Sequence, residues 1–337
     1  TNPPYISSSR MENSLKTYVN DNYIETKLDL FACFILRCLE LTNENGLTGN
    51  MTPFVWMFIS SYEKLRKTII DEHFINNLIQ LEYSGFDGAT VPICTFTLRN
   101  NPMDAKKSYI RLSDFKGSQN QAPKTLEAIQ NPKCGWFYVK NQKDFEKIPG
   151  SNIGYWLSEK MINIFSENKS LKEIGDGKQG LATADNHRFL RFWSEISNNN
   201  SFFNAKNIDD SIKSNCQWFP YNKAGELRRW YGNQDYMVNW KNDGFEIRNF
   251  KNARGKLRSR PQNTEWYFKE SISWGLITSA GSSFRFYPNG FVYDVAGMSY
   301  FPNDNINKFI LLGSLNTKLI SEINKILNPT INLQIGD

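Results

Sequence analysis

The sequence predicts an α/β region followed by a mixed α+β, β-rich region. Three observations lead there. Helical and strand-like apolar patterns alternate through residues 1–100, and short aromatic runs separated by Gly, Asn and Pro dominate after residue 172. A chain of 337 residues also has the length of about two domains. Hydrophobic residues at 40% and aromatics at 14% supply cores large enough to exclude wholesale disorder.

Taken in order, the Ser-rich stretch to Ser9 reads as a loop. Residues 27–41 carry Leu28, Phe31, Ala32, Ile35, Leu36 and Leu39 at helical spacing. Gly46 and Gly49 flank a turn beside a short strand, and Pro53 suits the first turn of a helix whose apolar face runs from Val55 to Ile70. Residues 74–83 and 91–98 are rich in β-branched and aromatic side chains and read as strands, with the Gly85–Gly88 loop between them. This helix–strand–helix–strand–strand order suits the second half of a mixed α/β sheet. Residues 101–171 turn polar, punctuated by Pro102, Pro123, Pro132 and Pro149, and read as a connector with a helix at 158–167. A second domain, 172–337, is expected to place strands at 217–221, 236–240, 266–268, 284–287 and 291–295, then helices over 305–327.

The five cysteines are odd in number and unpaired in spacing, which argues for a reducing compartment, the cytoplasm, rather than a disulfide scaffold. With two distant histidines, His73 and His187, a metal site is not expected. The most apolar helical stretch, 28–41, is interrupted by Asp29, Arg37 and Glu40, so no membrane partner is expected either. The chain starts on Thr rather than Met, and the expectation is a piece of a longer protein.

The net charge of +6 is concentrated. Residues 223–260 hold ten basic side chains against Glu226, Asp235, Asp243 and Glu246, interleaved with Trp230, Tyr231, Tyr236, Trp240 and Phe250. A solvated loop face is one reading. Cations for phosphates plus rings for bases is the other, and it singles out Arg228, Arg229, Lys251, Arg254, Lys256, Arg258 and Arg260 as DNA contacts. Asp235 and Asp243 read as salt-bridge partners rather than nuclease metal ligands.

The sharpest chemical signal is Asn2-Pro3-Pro4-Tyr5. The exocyclic amine of a base is a poor nucleophile because its lone pair is delocalised into the ring. Acceptors on its hydrogens favour the pyramidal, reactive form, and prolines hold backbone carbonyls rigidly without adding an opposing donor. A neighbouring tyrosine offers a stacking face for an extruded base. Four residues alone fit an ordinary proline turn equally well.

With the elements that follow it, including residues 51–58, Asn-Pro-Pro-Tyr resembles amino-directed DNA adenine methyltransferases. Longer blocks narrow this. Residues 178–191 (KQGLATADNHRFLR), 223–233 (KAGELRRWYGN), 257–263 (LRSRPQN) and 328–337 (NPTINLQIGD) resemble the PglX-type methyltransferases of BREX phage-defence systems. Ala184 stands where members often carry Gly.

The resemblance implies that residues 1–100 are the later half of a Rossmann-like catalytic domain and 172–337 a target-recognition domain. It implies transfer of a methyl group from S-adenosylmethionine to a flipped adenine in double-stranded DNA, with other BREX proteins as further partners. Asn2 and Pro3 would hold the amine, Tyr5 would stack, and Pro4 would stiffen the turn. Phe86 matches the second aromatic that closes over the base, although it reads equally as a core residue at a strand end. The glycine-containing cofactor motif of the family lies upstream of Asn-Pro-Pro-Tyr, so no cofactor is expected in this fragment alone. Residues 175–180 (GDGKQG) lack the spacing to replace it and read as a cap or turn. Two other classes stay open: a non-catalytic DNA-binding specificity module, and the methylating part of a restriction–methylation fusion.

Overall fold

The computed structural model describes residues 1–83, 85, 91–276, 281–327 and 333. It is mixed α+β with three sheets, in two compact units, Thr1–Asn168 and Lys169–Asp337.

The first unit runs α1 (Asn13–Asn22), α2 (Leu30–Glu40), β1 (Leu47–Pro53), α3 (Glu63–Glu72), β2 (Phe74–Gln80), β3 (Ile93–Arg99), β4 (Lys106–Arg111), α4 (Ser118–Gln130), β5 (Phe137–Asn141) and α5 (Glu159–Glu167). Its sheet has the order β1-β3-β2-β4-β5. Strand β3 is antiparallel to both β1 and β2, so Asn50 faces Phe96 and Leu78 faces Phe96 from the other side. Strands β2 and β4 are parallel. The expected helix over 55–70 is shorter than its apolar pattern: 3-10 turns occupy Phe54–Met57 and Ser60–Tyr62, and α3 begins only at Glu63. Their buried side chains, Trp56, Met57 and Tyr62, supply the apolar signal without helical geometry.

Residues 101–171, expected as a connector, instead contribute β4 and β5 to this sheet. The polar composition concealed them because their inward positions are few: Tyr109 and Ile110 are buried, whereas every residue of β5 is at least partly exposed. Arg66 ties this region to the rest of the unit. Fully buried, it donates to the carbonyls of Trp56, Ile59 and Gly150 at 2.8–2.9 Å.

The second unit contains α6 (Leu171–Ile174), β6 (Gly175–Lys178), α7 (Asn186–Phe189), β7 (Leu190–Phe192), α8 (Ile208–Lys213), β8 (Trp218–Asn222), β9 (Tyr236–Asn239), α9 (Lys241–Arg248), β10 (Ser271–Gly275), β11 (Arg285–Tyr287), β12 (Val292–Tyr293), β13 (Gly297–Pro302), α10 (Lys308–Leu315) and α11 (Lys318–Leu327). The sheets have the orders β11-β10-β13-β6 and β12-β8-β9-β7. An aromatic core that includes Phe189, Phe219, Tyr221, Trp240, Tyr267, Phe268 and Tyr293 explains the short aromatic runs. The 266–268 run is not a strand. It is the end of a 3-10 turn followed by Phe268 at φ 69°, its rings drawn inward by burial. Of the glycines in 175–180, Gly175 caps α6, and Gly175 and Gly177 lie in the edge strand β6. Among the described residues no helix is long and apolar enough to cross a membrane.

Candidate active site and nucleic-acid interface

The Asn2–Tyr5 loop is held from two sides. On one, Met51 N–H of β1 donates to the Thr1 carbonyl at 2.9 Å. On the other, Asp29 caps α2 through Phe31 N–H and accepts from Ile6 N–H at 3.1 Å, while Leu30 N–H donates to the Ile6 carbonyl at 3.0 Å. One carboxylate therefore starts a helix and anchors the residue after Tyr5. Incomplete burial raises its pKa, opposed by those backbone donors. The sequence offered Asp29 only as a helix interruption, and its anchoring role was readable only as the residue before an apolar helical run.

Within the loop Pro3 is buried, while Asn2, Pro4 and Tyr5 are exposed. The Tyr5 hydroxyl lies 3.0 Å from Asn2 Oδ1 and 3.4 Å from the Met51 carbonyl. Its ring stands edge-on to buried Phe31, centroids 6.1 Å apart at 86°. Burial, then the Cys94 thiol, raises the hydroxyl's pKa, so it stays a neutral donor at physiological pH. Asn2 Oδ1 keeps a second lone pair for another donor. The loop thus presents an oriented amide oxygen, stiff prolyl backbone and a partly exposed ring. Phe86 lies outside the described residues.

The seven basic candidates occupy two loops and a strand-like return in the second unit. Residues 250–258 make a hairpin: Arg258 N–H bonds the Phe250 carbonyl, Lys251 pairs with Leu257, and Gly255 takes φ 75° at the turn. Lys251, Arg254 and Lys256 project from it, exposed. Arg258 lies over the Phe250 ring, 4.9 Å from its centroid. Arg260 and Ala182 exchange backbone bonds at 2.8 and 3.1 Å. Arg228 and Arg229 sit on a separate exposed loop. Among the described residues none of the seven has a carboxylate partner, whereas Lys223 pairs with Asp294 and Arg248 with Asp243. Asp235 forms no ion pair among the described residues, contrary to the expectation for it.

The blocks 178–191 and 257–263 pack on each other. Besides the Ala182–Arg260 pair, Gln262 and Asn263 donate to the carbonyls of Gly180 and Gln179. Gly180 itself approaches Tyr293 so closely that a Cβ would lie 1.9 Å from its carbonyl oxygen. These blocks position the basic segment.

Residues 1–86 match the family model of the Eco57I restriction-modification methylases. The whole chain is 36% identical to adenine-specific methyltransferase PglX of Lacticaseibacillus casei (strain Zhang) and 33% identical to adenine-specific methyltransferase BrxX of Escherichia coli O9:H4 (strain HS). It spans 28% and 27% of their lengths. In fold it is similar over 92% of its length to 41% of the type IIL restriction-modification enzyme MmeI, solved in complex with DNA, at a TM-score of 0.54 and 13% identity. From its first residue to its last, this chain matches a segment of the adenine-specific methyltransferases of the PglX and BrxX type.

Proposed function

We propose that this chain is the amine-holding and DNA-reading part of a site-specific DNA adenine N6-methyltransferase serving phage defence. The first unit would supply the later half of a Rossmann-like catalytic domain, and the second the target-recognition domain. The observation that carries the reading is the Asn2 amide, oriented by Tyr5 within a loop anchored at Met51 and Asp29. The names of the two relatives and the DNA bound to MmeI support it.

In this reading adenine leaves the duplex and stacks on Tyr5. Asn2 Oδ1 and the Pro3 carbonyl accept its two amine hydrogens, drawing the nitrogen toward a pyramidal, nucleophilic geometry. Pro4, by restricting the ψ of the buried Pro3, keeps that carbonyl from turning away. S-adenosylmethionine would supply the methyl group. Asp29, the carboxylate beside the motif, spends its Oδ1 on the N–H groups of Ile6 and Phe31. No residue of this chain is assigned to the cofactor.

Modification-sensitive sequencing of DNA from cells expressing the whole protein with its system tests this. Methyladenine at one sequence motif, lost on Asn2→Ala, is the expected result. Unmodified DNA with the wild-type protein, despite site-specific binding, would favour a non-catalytic specificity module.

A further inference from the structure

Residues 226–233 form a tight loop around an aromatic tip. Asn233 Nδ2 donates to the Glu226 carbonyl at 2.9 Å and closes its base. Tyr287 hydroxyl donates to the Asn233 carbonyl at 2.9 Å. At the tip Tyr231 N–H bonds the Arg229 carbonyl across Trp230, a three-residue turn with Trp230 at φ 75°. That turn is rare for any L-residue and rarer for a bulky one. It is held open by strand β11: Trp230 N–H donates to Phe284, and Phe286 N–H donates back to Trp230, both at 2.9 Å.

The strain serves no core. Trp230 is 53% exposed and Tyr231 63% exposed. Arg228 and Arg229 flank them, exposed and without ion pairs among the described residues. Beneath the loop Arg285, 1% exposed, donates to the Arg228 carbonyl and to Ser283 Oγ. Its Nε and Nη2 find no acceptor among the described residues. Two rigidly presented rings among three cations match the chemistry of stacked bases between phosphates.

We propose that Trp230 and Tyr231 form a wedge that stacks against bases of double-stranded DNA beside the target site, with Arg228 and Arg229 on the flanking phosphates. This rests on the DNA reading above and adds a residue-level contact to it. Stacking carries no counterion, whereas phosphate contacts do, and that difference separates the wedge from general basic attraction.

The test uses the whole protein and duplexes bearing its modified site, with 2-aminopurine placed in turn at flanking positions. Wild type is expected to raise emission at one step. Trp230→Ala should abolish that rise and weaken binding roughly tenfold with the salt slope unchanged, and Trp230→Phe should restore most of both. Joint neutralisation of Lys251, Arg254 and Lys256 to Gln should flatten the slope by up to about 0.9 per lost contact and leave the emission step in place. Tyr5→Ala separates this signal from that of a flipped target base. Wild-type binding with no change in affinity or emission for Trp230→Ala and Tyr231→Ala overturns the wedge alone. A wild-type protein that binds no duplex overturns the DNA reading and the wedge with it.

Discussion

The phenolic oxygen of Tyr5 lies 3.0 Å from Oδ1 of Asn2, so the residue proposed to stack on the base also fixes the amide proposed to hold its amine. Tyr5→Phe keeps the ring and removes only that bond. Methylation by the whole protein should fall about fivefold, the equivalent of about 1 kcal/mol for one hydrogen bond. Asn2→Ala should lose about a hundredfold or more, because it removes an acceptor used in the transition state. Single-turnover methyl transfer on a saturating duplex distinguishes the two. Equal losses would mean that Tyr5 does more than orient Asn2.

His73 ends α3 half-buried, with Nδ1 unpartnered and its carbonyl accepting from Gln142 Nε2 at 2.8 Å. Burial lowers its pKa from the ordinary 6.5, only partly opposed by Glu72 and Asn100. The unfolded chain therefore takes up a proton that the folded one refuses. Stability from this group is present above pH of about 6.5 and is lost as pH falls through the depressed folded value. A thermal-melt series of wild type and His73→Gln from pH 7.5 to 5 should show a steeper decline for wild type. Proton NMR should place the His73 titration below the ordinary 6.5.

Much of the first unit was legible because its signals are local. The helical spacing of Leu30 to Leu39 gives α2, the 158–167 run gives α5, and the β-branched and aromatic residues of 91–98 give β3. The missed elements depend on distant partners. Strand β4 is polar along much of its length and exists because β2 pairs beside it, and α1 buries only Val19. For the site, residue types were readable while their restraints were not. Nothing local connects Tyr5 to Met51, or Arg260 to Ala182, across 46 and 78 residues.

Ala184 shows how one substitution acquires a physical meaning. Its φ is 59°, in the left-handed region that favours Gly. An L-residue there costs roughly 1–2 kcal/mol, part of which Gly returns as unfolded-chain entropy. Ala184→Gly should therefore stabilise the second unit by about 1 kcal/mol, read as a higher denaturation midpoint with unchanged m. The Ala184 carbonyl, which accepts from Arg258 at 3.4 Å, should keep that bond. A lower midpoint would show that the alanine methyl packs usefully enough to outweigh its backbone strain.

Trp230 allows the same backbone argument to be combined with function. At most helix or strand positions Gly is less stable than Ala, because it loses more conformational freedom on folding. At φ 75° the order should invert, since Ala retains the Cβ that disfavours this region and Gly does not. Trp230→Gly is expected to be more stable than Trp230→Ala by about 1 kcal/mol, with both variants equally impaired in DNA binding. Both have lost the indole, so a difference in stability without one in affinity assigns strain to the backbone and binding to the ring. Denaturant melts paired with duplex titrations measure the two quantities on the same samples. If Ala proves as stable as Gly, the turn relaxes once the indole is gone, and the left-handed conformation belongs to Trp230's packing rather than to the backbone bonds with Phe284 and Phe286.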